Sequence, residues 1–179
     1  GIEILADAPH AFPPADPAAL RSALAGFPVS NLNGNTFRGG FAPSLIDEDP
    51  KSRRLRTDYV KGVIDLARAI GASTVCTCSG PLPDGVSKSR AREFLIGSLE
   101  RILAHAEPDI RVGIESEPGF FVGDVKSLSP ILEEIDHPLL GVNFDVGHAV
   151  CVGDGFQDAF DVFGDRIWNL HVEDIQDRV

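Results

Sequence analysis

The sequence predicts an α/β fold built on a parallel sheet, curled as part of a (βα)8 barrel, and three observations carry that prediction. Short aliphatic and β-branched runs recur along the chain, and stretches with apolar residues at helical spacing separate them. The first run then leads into Ala6-Asp7-Ala8-Pro9-His10, with no glycine in it. Strand and helix in alternation imply parallel strands joined by right-handed crossovers. An open sheet that binds a dinucleotide needs G-x-G-x-x-G at this point, where the backbone must approach a pyrophosphate, so the barrel is favoured. The runs begin near positions 2, 28, 73, 111, 140 and 167, intervals comparable with those of a barrel of roughly 250 residues and eight units. By that ruler the chain holds about six strands and about five helices, too few to close, so the barrel is incomplete.

Taken in order, Ile2-Glu3-Ile4-Leu5 reads as the first strand, and Leu20 with Leu24 marks a short helix after it. Val29-Ser30-Asn31-Leu32 follows, then a long amphipathic helix through Leu55, Tyr59, Val63 and Ile70. Ser73-Thr74-Val75-Cys76 precedes a helix through Phe94, Leu95, Leu99, Ile102 and Leu103. Arg111-Val112-Gly113-Ile114 precedes one through Leu128, Ile131, Leu132 and Ile135. Leu140-Gly141-Val142-Asn143-Phe144 precedes a helix through Phe156, Phe160 and Phe163, and Ile167-Trp168-Asn169-Leu170 is the sixth strand. Asp16-Pro17 and Asp49-Pro50 place a capping carboxylate before a proline at the first helical position, where its missing N–H costs nothing. Gly26, Gly71 and Gly164 sit where a helix turns left-handed to stop. The longest irregular stretch, 34–49, follows the second strand, and a loop of that length in a compact α/β unit suggests a functional role. No composition shift marks a boundary, so 1–179 reads as a single, partial barrel domain.

With 27 acidic against 16 basic residues, a net charge of -11 and a pI near 4.7, the surface should repel phosphate backbones and anionic head groups. Nucleic acid and membrane surfaces are therefore excluded as expected partners, and a small molecule is favoured. No apolar run approaches the roughly 18 residues of a membrane span, and the N-terminus lacks the layout of a signal peptide. Cys76, Cys78 and Cys151 are odd in number and too few for a disulfide scaffold. A cytoplasmic protein is expected.

In parallel α/β folds the ligand lies at the carboxyl ends of the strands. The fourth strand ends in Ile114-Glu115-Ser116-Glu117-Pro118, the fifth in Phe144-Asp145-Val146-Gly147-His148, and the sixth in Leu170-His171-Val172-Glu173-Asp174. Three neighbouring strands thus bring Glu115, Asp145 and His171 to one rim, a donor set for a divalent metal such as Mn, Co, Mg or Zn. Each alone has a plainer reading: Glu115 as a solvated end, Asp145 as the cap of the next turn, His171 as a satisfied core imidazole. Glu117 shares strand parity with Glu115 and either faces substrate or caps the loop before Pro118. His148 is expected to hydrogen-bond substrate rather than metal, and Glu173 and Asp174 to orient neighbours or cap.

These runs, Gly113-Ile114-Glu115-Ser116-Glu117-Pro118-Gly119, Phe144-Asp145-Val146-Gly147-His148 and Leu170-His171-Val172-Glu173-Asp174-Ile175, resemble the sugar phosphate isomerase/epimerase family. Its members are xylose isomerase-like TIM barrels in a superfamily that includes endonuclease IV. The resemblance spans essentially the whole chain, starting at the family's second strand. It implies a metal-dependent aldose–ketose isomerase or 3-epimerase acting on a sugar or sugar phosphate through an enediolate. Glu115 would be a metal ligand and one of two catalytic carboxylates, Asp145 and His171 further ligands, and His148 a substrate contact. Arg178 corresponds to an arginine that contacts a substrate phosphate or hydroxyl in related epimerases. The family's fourth ligand, a glutamate, belongs to a last strand that does not occur before Val179, which makes a fragment of a longer gene product the expected reading.

Endonuclease IV-like relatives add histidines where this chain has Asn33 and Cys78, so a trinuclear zinc cluster and a DNA substrate are disfavoured. Cys78 is expected to fill the barrel mouth rather than bind metal. His10 follows the first strand as a loop residue, and His105 and His137 fall on or beside helices, where structural roles are expected. A homo-oligomer is compatible with the family. Two other activities, dehydratase and hydroxypyruvate isomerase, would use the same ligands, and a non-catalytic carbohydrate-binding scaffold would keep the fold alone.

Overall fold

The structure, a computed structural model, describes residues 1–7, 17–173 and 175. Six parallel strands lie side by side in chain order: β1 (Ile2–Leu5), β2 (Val29–Asn33), β3 (Thr74–Cys78), β4 (Arg111–Glu115), β5 (Leu140–Asp145) and β6 (Ile167–His171). Helices α1 (Pro17–Ala23), α2 (Pro50–Ile70), α3 (Lys88–Ala106) and α4 (Val125–Ile135) make the first four connections. The last connection holds two helices, α5 (Val146–Val152) and α6 (Phe156–Phe163), and a 3-10 turn at 164–166. The sequence predicts the other five helices and misses α5, which starts directly at the end of β5.

Helix ends follow local chemistry. The Asp49 carboxylate accepts from the backbone N–H groups of Lys51 and Ser52 with Pro50 in the first turn, and Gly71 closes α2 at φ 83°. Asp124 and Ser127 form a reciprocal capping box on α4. The predicted cap Asp16 lies outside the described residues.

Strand residues two apart share a face. Leu32, Val75, Val112, Ile114, Val142 and Phe144 point to one side and are buried in the hydrophobic core beneath the helices. The opposite side carries Glu3, Asn31, Cys76, Glu115, Asn143 and Asn169, which hydrogen-bond across the strands. The sheet must be strongly curled to allow those bonds. In a flat sheet β1 and β6 would stand five strand spacings of about 4.8 Å apart, roughly 24 Å. Here Asn169 Nδ2 on β6 donates to Glu3 Oε2 on β1 at 2.9 Å. The polar face is therefore the concave interior of an incomplete barrel, with β1 and β6 as its two edges.

The floor of that interior depends on a glycine. A Cβ at Gly141 would run into the Trp168 indole and the Arg166 carbonyl. Its absence lets the indole lie across β5, where Arg111 stacks on it at 4.6 Å.

Candidate metal centre

The register of the sheet sets the rim. Glu115 pairs with Asn143 across β4 and β5, and Asp145 pairs with His171 across β5 and β6. Glu115 is 2% exposed, and its two oxygens face different partners. Oε2 accepts from Asn35 Nδ2 at 2.5 Å and from Asn143 Nδ2 at 2.6 Å. Oε1 lies 3.4 Å from His171 Nδ1 and 3.6 Å from His148 Nδ1. One oxygen is held and the other is presented.

Asp145 divides its oxygens in the same way. Oδ1 accepts from the His148 backbone N–H at 3.1 Å and caps α5, while Oδ2 lies 3.4 Å from His171 Nδ1. The capping reading that the sequence offered for Asp145 is realised on Oδ1, and Oδ2 is turned towards His171. Burial pushes this carboxyl up, but hydrogen bonds from His171 and the His148 backbone, with both imidazole charges, leave it below the usual range. His171 is raised to about 12 by its bonds to Asp145, Glu115 and Glu3, which outweigh burial.

His148 lies in the same group but is differently engaged. Its Nδ1 is 3.1 Å from the Ser116 carbonyl, which can only accept, so Nδ1 carries the hydrogen. Nε2 then faces Glu117 Oε1 at 3.7 Å and Glu173 Oε1 at 3.8 Å. Glu117 is pushed up first by burial and then by the charges of Glu115, Asp145 and Glu173, against the pull of His148.

Glu115, Asp145 and His148 each offer a ligand atom within 4.8 Å of the others, a spacing that could hold a metal ion. His171 Nδ1 is 3.4 Å from an oxygen of each carboxylate, and the Ser116 carbonyl engages His148 Nδ1. Bonds of about 2.0–2.2 Å from a cation to nitrogen and oxygen set neighbouring ligand atoms roughly 3–3.5 Å apart. The two distances from His171 Nδ1, 3.4 Å to Glu115 Oε1 and 3.4 Å to Asp145 Oδ2, are near that spacing, and the donor types suit a divalent metal.

Four interior residues at the site escape a reading of the strand ends. Asn35 comes from the long 34–49 loop, which Asp7 anchors by accepting from Thr36 Oγ1 and the backbone N–H groups of Arg38 and Gly39. Behind it, buried Arg56 donates to the carbonyls of Gly34 and Asn35. Asn143 Oδ1 accepts from Asn169 Nδ2 at 2.6 Å. Glu3 accepts from Asn31, Asn33, Asn169 and His171. Burial pushes the Glu3 carboxyl up, but the bonds from His171, Asn31 and Asn33 bring it down to about 2. The available signal is period two: Asn143 and Asn169 stand two residues before Asp145 and His171 and share their face.

Other predicted positions separate cleanly. Cys78 is 2% exposed with its thiol on the Asn35 carbonyl, and burial pushes it up to about 12, so it fills the barrel mouth as a neutral group. His105 pairs with Asp65 and His137 with Glu107, both on helix-side surfaces. His10, Asp174 and Arg178 lie outside the described residues.

The chain belongs to the xylose isomerase-like TIM barrel family, whose model matches residues 1–179. It is 28% identical over 155 residues to the uncharacterized protein MJ1311 of Methanocaldococcus jannaschii, covering 82% of this chain and 49% of that protein. A D-tagatose 3-epimerase-like protein superimposes with a TM-score of 0.80 at 21% identity, covering 95% of this chain and 65% of the other. The zinc-bound IolI protein gives 0.79 at 16% identity, covering 98% and 64%. The D-allulose 3-epimerase from Methylomonas sp., in complex with D-allulose, gives 0.72 at 17% identity, covering 89% and 57%. These likenesses show the shared fold. The chain spans about half the length of the curated relative and less than two thirds of these solved chains.

Proposed function

We propose that the protein is a divalent-metal-dependent isomerase or epimerase of a sugar or sugar phosphate, with Glu115, Asp145 and His171 as metal ligands. The observation that carries this reading is the position of His171 Nδ1, 3.4 Å from both Glu115 Oε1 and Asp145 Oδ2. The zinc-bound and D-allulose-bound structures of the same fold agree with it. A bound divalent cation supplies Lewis-acid stabilisation of the negative charge that develops beside a carbonyl when a neighbouring C–H is broken.

The chain's own groups account for the proton. Asn35 and Asn143 hold Glu115 Oε2 in place, and Glu115 is the carboxylate that takes a proton from the carbon next to the carbonyl. Returning it to the neighbouring carbon, while the hydroxyl proton passes from that hydroxyl oxygen to the former carbonyl oxygen, interconverts aldose and ketose. Epimerisation needs a second acid on the opposite face of the sugar, and the family resemblance assigns that carboxylate to a strand later than β6. His148 and Glu117, facing each other at the rim, bind substrate hydroxyls. The family resemblance assigns Arg178, which lies outside the described residues, to a substrate phosphate or hydroxyl.

Assay of ketose and aldose interconversion with manganese or cobalt, across sugars with and without phosphate, tests this reading on the protein as it occurs at full length. Metal-dependent turnover that Glu115→Gln removes supports it. Turnover unaffected by chelation, or none with any sugar, contradicts it.

A further inference from the structure

The geometry points to Glu3 as the residue that positions His171 for metal binding, an inference that rests on the metal reading proposed above. Glu3 lies on β1, at the opposite edge of the sheet from β6. Across the interior, His171 Nε2 is 3.0 Å from Glu3 Oε1 and 2.9 Å from Oε2. An ionised carboxylate only accepts, so Nε2 carries a hydrogen. Nδ1 is then the ring nitrogen that presents a lone pair once the imidazole is neutral, as a metal ligand must be, and it is the one aimed at Glu115 and Asp145.

The carboxylate is itself immobilised. Asn31 Nδ2 donates to it at 2.9 Å and Asn33 Nδ2 at 3.0 Å from β2, and Asn169 Nδ2 donates at 2.9 Å from β6. Three amides on two strands fix Glu3, and Glu3 fixes the ring. A carboxylate on the far nitrogen of a ligand histidine sets its tautomer and orientation and raises its basicity. Glu3 faces the nitrogen opposite the candidate centre and acts through His171, so it is a positioning residue. It also draws the two edges of the curled sheet together on the interior side.

The test uses two variants and two readouts. Glu3→Gln keeps the side-chain size and removes the charge, whereas Glu3→Asp keeps the charge and withdraws it by one methylene. In the metal-free native protein the His171 Nε2–H should give a proton resonance protected from exchange with water, and both variants should lose that protection. Titration with zinc alone should show 10–100-fold weaker binding in both, about the usual cost of removing such a partner. Retained protection, or zinc affinity equal to the native value in the folded variants, overturns the inference. If the native protein binds no zinc, the metal reading falls by itself. The resonance then decides whether Glu3 positions the ring: loss of protection in both variants upholds it and retention overturns it.

Discussion

Asn143 Nδ2 donates to Glu115 Oε2 at 2.6 Å, and the two residues are register partners on adjacent strands. The same amide nitrogen lies 3.3 Å from His171 Nδ1, while its Oδ1 accepts from Asn169. Asn143 is thus one of two amides, with Asn35, that tie down Oε2 of Glu115. Asn143→Ala is expected to cost about 1–3 kcal/mol, since it removes one of two donors from a buried carboxylate. Denaturant unfolding reads that loss. Manganese titration of the folded variant should show about 10–100-fold weaker binding.

Metal uptake should release a proton. In the metal-free protein His171 is raised to about 12 by Asp145, Glu115 and Glu3, so it is protonated at neutral pH, whereas a ligand imidazole is not. Affinity should therefore rise with pH, by up to about tenfold per pH unit below that value. Calorimetric titration in two buffers of different ionisation enthalpy counts the proton directly. For the metal-free fold the sign is reversed. A raised histidine contributes its full stability below its unfolded value of about 6.5 and loses it as pH climbs towards 12.

Gly141 is irreplaceable for packing reasons. Any Cβ there meets the Trp168 indole and the Arg166 carbonyl, so Gly141→Val should destabilise the fold by about 1–3 kcal/mol or more. Trp168 is the single tryptophan, and its fluorescence reports the displacement without interference. An unchanged emission maximum and unfolding midpoint would contradict this packing.

The thiols should differ sharply. Cys76 and Cys78 are 0% and 2% exposed and both are pushed up by burial, whereas Cys151 on α5 is partly exposed. Brief alkylation of the native protein followed by mass spectrometry should modify Cys151 alone.

The strands were legible because each is a short β-branched run, and the helices because apolar spacing and the Asp49 and Gly71 punctuation agree. Helix α5 was not. It has seven residues, three of them valine and one glycine, and forms because Asp145 caps it immediately after β5. At the site, Glu115, Asp145 and His171 stand out because they end adjacent strands. Glu3 does not, because Ile2-Glu3-Ile4-Leu5 has the alternation of any half-exposed strand. Alternation says that Glu3 lies on the face away from Ile4. Only the curl of the sheet, a property of all six strands together, turns that face inward onto His171. Asn35 was hidden differently, in an irregular loop where its reach to Glu115 depends on the Asp7 and Arg56 anchors.

Titration of manganese into the native protein, Glu115→Gln and His171→Ala tests the central claim most directly. The account predicts about one equivalent of bound metal in the native protein, a rise in its thermal midpoint on binding, and loss of both effects in each folded variant. Absence of binding by the native protein, or binding that survives in both variants, would contradict it.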